Sequence, residues 1–296
     1  MRGASITALV CFVVACGGAS PRPAASFAEV IATDPQAAPF AEDAELTVIA
    51  GPTVRGRAAI GAALDSLRAR FPGLHLATGR QWSRGTTHVV ELVMTAPAIG
   101  VAAAAVVTLD RAGLISAARI YVDVPTLVGQ MAPHLLPEGV TARAPIAGPL
   151  HGTTATVAGD TPTEAASFAT TEAIWARLDA HDPAGVLVSS APGYVYDDYS
   201  GPAPLDLAGT HKLLDGFMGL VQDFKIVEKP TYFAAGAFVI TESVENMLFQ
   251  GKPIVLHGLD IKEFAEGKVV REWQYANGAE VLSALLGISV AVPEKS

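Results

Sequence analysis

The feature that most constrains this chain is a diverged internal repeat. Asp34-Pro35 matches Asp182-Pro183 at a spacing of 148 residues, and Gly51-Pro52 matches Gly201-Pro202 at 150. The second spacing also pairs Ala58, Leu64 and Asp65 with Ala208, Leu214 and Asp215. Further along it has grown to 154, where Gly113 falls on Gly267, Tyr121 on Tyr275 and Asp123 on Asn277. A spacing that only grows is what small loop insertions produce. A repeat has to be found first, because missing it misreads the fold. Two units of one layout therefore set the organisation: 26–132 and 163–288, with an eight-residue tail at 289–296. Between them, 133–162 is rich in Pro, Gly and Thr, shows neither helical nor alternating periodicity, and reads as a linker.

Each unit repeats one order of elements. A helix comes first, about Ser26–Thr33 and more clearly Thr163–Ala180. Asp-Pro then starts a short helix, since Asp caps and Pro suits the first turn. A strand follows (Leu46–Ala50, Tyr194–Asp198), then a Gly-Pro turn and a helix (Ala58–Phe71, Leu207–Val221). Ile60, Ala63, Leu64, Leu67 and Phe71 have the spacing of one helical face. Long strands close each unit; in the second they are about Phe224–Pro230, Ala237–Phe249, Ile254–Ala265 and Val269–Tyr275, followed by a helix at Ala279–Leu286. In the first unit, Ala102–Ala105 with Val106-Val107 is apolar on both faces, so one face needs a cover beyond its own unit. The second unit's sheet is the expected cover, which makes the chain a pseudo-dimer.

At the N-terminus, Arg2 precedes an apolar run from Ile6 to Val14, too short to span a bilayer. Val13-Val14-Ala15-Cys16 then resembles a bacterial lipobox. That resemblance implies removal of 1–15 as a signal peptide, lipidation of Cys16, a tether over 16–25, and membrane attachment in the cell envelope. With Gly17 next, it implies the periplasmic face of the outer membrane in a Gram-negative host. An ordinary signal peptide cut near Ala19 is the alternative. Cys11 and Cys16 are the two cysteines, so neither a disulfide framework nor a thiolate metal cluster is available. A net charge of −9 excludes the basic footprint that nucleic acid requires.

The order of elements, an α+β pattern of helices followed by an antiparallel meander, resembles the SnoaL-like branch of the nuclear transport factor two-like superfamily. So do Leu178-Asp179-Ala180-His181-Asp182-Pro183, Phe71-Pro72-Gly73-Leu74, and His257-Gly258-Leu259-Asp260 with Glu266-Gly267-Lys268-Val269-Val270. Trp273-Gln274-Tyr275-Ala276-Asn277 and Tyr121-Val122-Asp123 resemble its closing strand. The resemblance implies two tandem cones, each a curved, mostly antiparallel sheet wrapped around helices and able to enclose a pocket. Function does not travel with such a fold, so the site must carry it.

Catalytic members of the superfamily place an ionisable residue, often Asp, deep in the cone. Asp123 stands there in the first unit, with helix capping as its plainer role. The second unit has Asn277, which cannot hold a proton. In that unit Trp273, Tyr275 and Asn277 share one strand face. His257 lies on a face of the strand before, and Glu242 and Asn246 on one before that. If these faces line the cone, they bind a ligand, with His257 or Asp123 as the candidate base; otherwise Trp273 and Tyr275 are core aromatics. Asp260, one step out of register with His257, is expected on the outer face. The aspartates of Tyr194-Val195-Tyr196-Asp197-Asp198-Tyr199 are expected in water. No nucleotide loop, metal motif or nucleophile elbow occurs, so no cofactor or metal is expected. Three functions stay open: a lipid-anchored protein binding a small, mostly apolar molecule in the second cone without catalysis; a cyclase, isomerase or hydrolase; and an interaction module with filled cones.

Overall fold

The computed structural model describes residues 40–49, 51–136 and 142–276. The signal and tether, the first helix, the Asn277 position and the closing helix expected at Ala279–Leu286 lie outside them.

The first half runs β1 (Phe40–Val48), β2 (Thr53–Arg55), α1 (Arg57–Arg70), β3 (His75–Arg84), β4 (Thr87–Ala96), β5 (Ile99–Leu109), β6 (Ile115–Val122) and α2 (Val124–Met131). After β7 (Ala155–Val157), the second half runs α3 (Pro162–Asp179), α4 (Pro183–Val186), β8 (Ser190–Asp198), β9 (Leu205–Asp206), α5 (Leu207–Leu220), β10 (Val221–Ala235), β11 (Phe238–Phe249), β12 (Lys252–Ala265) and β13 (Lys268–Ala276). The architecture is α+β, with two mixed sheets. Their orders are β2-β1-β6-β5-β4-β3-β7 and β10-β11-β12-β13-β8-β9. Apart from β7 the two orders are the same. In each, a long meander is antiparallel, and the strand that precedes the central helix joins its end in parallel (β1 to β6, β8 to β13).

Two elements depart from the sequence reading. β10 is one strand of 15 residues rather than a short one. Its register shifts at Gln222/Lys225, Ile226/Glu228 and Glu228/Thr231 break the alternation that would have revealed its length. The stretch read as a linker is built into the first sheet. β7 pairs in parallel with β3, and Ile146 N–H donates to the Gly100 carbonyl at 3.0 Å. A side chain on Gly100 would put its Cβ 2.2 Å from the Ile146 carbonyl, so only glycine permits this approach. The backbone of a Pro- and Gly-rich segment finds its hydrogen bonds on a sheet edge, with no periodic pattern to announce it.

In the first half, Ile60, Leu64, Leu67 and Phe71 of α1 pack against inward residues of β1 and β3–β6, and this concave side is filled with side chains. The opposite face forms a separate core with the second sheet. Ala102, Ala104 and Val106 of β5, with Trp82, Val89 and Tyr121, meet Phe233, Ile240, Leu259, Ile261, Trp273 and Tyr275. Small alanines let the two sheets approach closely.

Two polar networks cross this contact. Arg119 holds both oxygens of Glu242, at 2.5 and 2.6 Å, and the Tyr121 hydroxyl donates to the same carboxylate at 2.7 Å. In the second, Arg80 forks onto Glu91 at 2.8 and 2.7 Å, and the Tyr275 hydroxyl donates to Glu91 at 2.9 Å. The Arg80 guanidinium lies 3.8 Å from the centre of the Trp273 ring. Trp273 Nε1 donates to His151 Nε2 at 2.9 Å. His151 Nδ1 faces Arg80 Nη2 at 3.1 Å and Glu91 at 3.4 Å. Burial opposes the Glu91 charge, and Arg80 and His151 outweigh it and hold that carboxyl below its usual range.

α3 begins in a capping box. Glu164 N–H donates to Thr161 Oγ1 at 3.2 Å, and Thr161 N–H to Glu164 Oε2 at 2.7 Å. The same carboxylate accepts from Gly236 N–H at 2.6 Å, which ties the helix start to the β10–β11 turn. Burial opposes its charge, yet the N–H groups of Thr161, Gly159 and Gly236 hold its pKa at about 2. Thr161→Ala is expected to cost about 1 kcal/mol; equilibrium urea unfolding showing no loss would mean that the cap contributes nothing.

Candidate functional site

The concave side of the second sheet is open. α3, α4 and α5 stand over it and leave a cavity of about 310 Å³. Its wall is apolar: Ile174, Trp175 and Leu178 of α3, Leu213, Leu214 and Phe217 of α5, and Phe224 of β10. Its floor is polar: Tyr194, Tyr196 and Asp198 of β8, Glu245 of β11, Asp260 and Lys262 of β12, and Glu272 and Gln274 of β13. An apolar enclosure with a few convergent polar groups is the usual form of a small-molecule site.

Alternation along the strands explains the division. Leu256, Asp260 and Lys262 face the cavity, so His257, Leu259 and Ile261 face the other way. Glu272 and Gln274 face the cavity, while Trp273 and Tyr275 face the first sheet. The two strand faces were grouped properly from sequence, but their directions were exchanged. Aromatic residues looked like a pocket lining and are the contact between the halves. Asp260, expected on the outer face, and Asp198, expected in water, line the cavity.

The remaining candidates distribute as follows. Glu242 is 1% exposed and bound to Arg119 across the contact. Asn246 is exposed, and His257 is half-buried on the strand face away from the cavity. Asp123 caps α2, accepting from Thr126 N–H at 3.0 Å, with burial pushing its pKa up to about 7. Asp197 and Asp198 are not in water. Asp197 is bound to Arg143 at 2.6 Å, and Asp198 lines the cavity, accepting from Ser200 N–H and Oγ at 2.9 and 2.7 Å.

The floor is a connected set. Lys262, 1% exposed, donates to Glu272 at 2.6 Å and lies 4.5 Å from the centre of the Trp175 ring. The Tyr194 hydroxyl donates to the other oxygen of Glu272 at 2.9 Å, and that of Tyr196 donates to Gln274 Oε1. Ser243 Oγ donates to Glu245 at 2.9 Å. Thr241, Asp260 and Gln274 form one row across β11, β12 and β13. In that row Asp260 Oδ2 and Thr241 Oγ1 are buried without a hydrogen-bond partner among the described residues, as is Trp175 Nε1 in the wall. Buried polar atoms in native proteins are nearly always satisfied. These three are open valences at one site.

Burial pushes the Asp260 carboxyl up to about 8; Lys262 opposes this, while Glu272, Glu245 and Asp198 add to it. Burial also raises Glu245 to about 7 against its bond from Ser243. Burial raises Asp198 too. Lys262 moves up, because Glu272 and Asp260 outweigh the cost of burying its charge. At neutral pH the floor thus has a charged Lys262 beside an Asp260 that keeps its proton. An acid of that pKa can give a proton to a bound group and take it back. Among the described residues no group of three or more His, Cys, Asp or Glu is arranged to hold a metal ion.

Residues 26–118 match the family model of the SnoaL-like domain. Over that stretch the chain is similar to a SnoaL-like domain. Among solved structures, an epoxide hydrolase of M. tuberculosis is 20% identical, covering 43% of this chain and 93% of its own, with a TM-score of 0.36. An NTF2-like protein from Burkholderia xenovorans is 15% identical, covering 41% of this chain and 96% of its own, with a TM-score of 0.37. No curated protein sequence matches. The SnoaL-like match lies on the first half, whose concave side α1 fills, whereas the cavity lies in the second.

Proposed function

We propose that this chain binds a small, mostly apolar molecule in the cone of its second half. The carrying observation is an apolar-walled cavity of about 310 Å³ with Asp260, whose Oδ2 has no partner among the described residues, at its polar floor. Titrating the full chain with 1-tetralone, read by calorimetry, should give saturable binding. Leu214→Trp, which fills the cavity from α5, should abolish it; equal binding by that variant would place the ligand elsewhere. The common strand order of the two sheets supports reading the chain as a duplicated unit in which the second copy kept an open cone.

A second reading, an acid–base enzyme, is favoured by the placement of Asp260: it lines the cavity with Oδ2 unpartnered among the described residues, and burial pushes its carboxyl up to about 8. Here Asp260, rather than His257 or Asp123, is the group that moves a proton. Exchange of the α-protons of 1-tetralone in D₂O, followed by NMR, tests it. Acceleration that is lost in Asp260→Asn supports catalysis, and no acceleration leaves a binding protein.

The lipobox-like Val13-Val14-Ala15-Cys16 supports a further proposal, that lipid on Cys16 holds the chain in the cell envelope. Cys16→Ser is expected to move the protein from the detergent phase to the aqueous phase; unchanged partitioning would exclude this anchor.

A further inference from the structure

We infer that Gly258 leaves a niche in the cavity floor that admits a neutral, oxygen-bearing group of the ligand, held between Asp260 and Gln274. This rests on the second cone being a binding site. Gly258 lies between Leu256 and Asp260, two residues from each, and both of those line the cavity. Strand alternation therefore turns its missing side chain to the cavity side. A Cβ there would lie 3.2 Å from Ser243 Oγ and 4.0 Å from both Asp260 Oδ2 and Gln274 Nε2. Three polar side chains converge on a volume that any other residue would occupy.

The donors and acceptors around that volume define what enters it. Gln274 Oε1 is taken by the Tyr196 hydroxyl, which leaves its Nε2 as a donor. Asp260 is 1% exposed and its Oδ2 has no partner among the described residues. A primary amide nitrogen only donates, so the group between them must accept. A carbonyl, ether, epoxide or hydroxyl oxygen meets that demand.

The charges select a neutral group. Asp260 is faced by Lys262 on its own strand, Glu245 on β11, Glu272 on β13 and Asp198 on β8. Lys262 is already bound to Glu272, so an anionic ligand would meet carboxyls without a free cation. An ammonium group only donates, so it would leave the Gln274 Nε2 donor unmet beside the Asp260 carboxyl. A neutral oxygen accepts from both.

The test uses three probes of one shape on the full chain: 1-tetralone with one carbonyl, tetralin with none, and 1-aminotetralin with an ammonium. Calorimetry at pH 7 should show 1-tetralone binding about tenfold more tightly than tetralin, the worth of one well-made hydrogen bond, and more tightly than 1-aminotetralin. Gly258→Ala should remove most of that preference by filling the niche. Gln274→Met, which keeps the side chain's length and removes its donor, should do the same and serves if the first variant does not fold. If tetralin or 1-aminotetralin binds as well as 1-tetralone, or if both variants keep the preference, the niche is refuted while the cavity stands as a binding site. If no probe binds, the binding reading itself fails and the niche with it.

Discussion

Glu242→Ala is expected to destabilise the protein by about 3–5 kcal/mol, the cost of breaking a buried ion pair from one side. Glu242 is 1% exposed and sits where the two sheets meet. Removing its carboxylate takes both charge-assisted bonds from the Arg119 guanidinium, leaving it Thr231 Oγ1, and takes the acceptor of the buried Tyr121 hydroxyl. The loss comes from those uncompensated groups more than from the pair itself. The double variant Arg119→Met, Glu242→Leu should therefore be milder than the single one, because it removes both charges together. Equilibrium urea unfolding of the two variants checks both statements. A loss below about 1 kcal/mol in Glu242→Ala, the range of a surface pair, would show that the contact does not rely on this network.

The second large effect is on pH dependence. In the unfolded chain the Asp260 carboxyl titrates near 3.8; in the folded protein it does so at about 8. Between those values the folded state keeps a proton that the unfolded state has lost. Unfolding then releases a proton, and stability falls as pH rises, at about 1.4 kcal/mol per pH unit. Glu245 and Asp123, both raised to about 7, act in the same direction. Glu164, held at about 2, contributes in the opposite sense, and its contribution is lost only as pH falls through that value. The protein should thus be most stable on the acid side of neutrality. Asp260→Asn keeps the shape and removes the titration, so it should be more stable than the parent at pH 7.5 by several-fold more than at pH 4.5. Unfolding midpoints at pH 4.5, 6 and 7.5 measure this. A difference between parent and variant that does not change with pH would refute the raised carboxyl.

Much of the architecture was legible in the sequence. The helical spacing of Ile60, Leu64 and Leu67 located α1, and β11, β12 and β13 fall close to their expected bounds. The apolar stretch at Ala102–Val107 is buried on both faces, by α1's core on one side and the second sheet on the other. The candidate site was not legible, for a definite reason. Period-two alternation shows which residues share a face, but not whether that face looks inward or toward another domain. For Trp273 and Tyr275 the sequence leaves cone lining and core packing as alternatives, and the structure places both in the core between the sheets. One signal was available. Asp260 and Lys262 lie in the middle of β12, a strand flanked on both sides, where water is a poor expectation for a charge. Charged residues in such a place mark an internal polar cavity. β7 left no signal of any kind, since three residues at a sheet edge need no pattern.

The alanine-rich strand β5 has one more consequence. With both faces covered, neither half of this molecule can be treated as an independent cassette. Detaching the second half would bare Ala102, Ala104, Val106 and Trp82 as one continuous greasy plane, and would leave Phe233, Ile261 and Trp273 equally naked on the other fragment. Such planes recruit whatever apolar surface is nearest. A gene fusion or truncation that moves the open cone alone into another context would carry an aggregation surface with it. The first half is the escort that keeps the apolar sheet face behind the open cone covered.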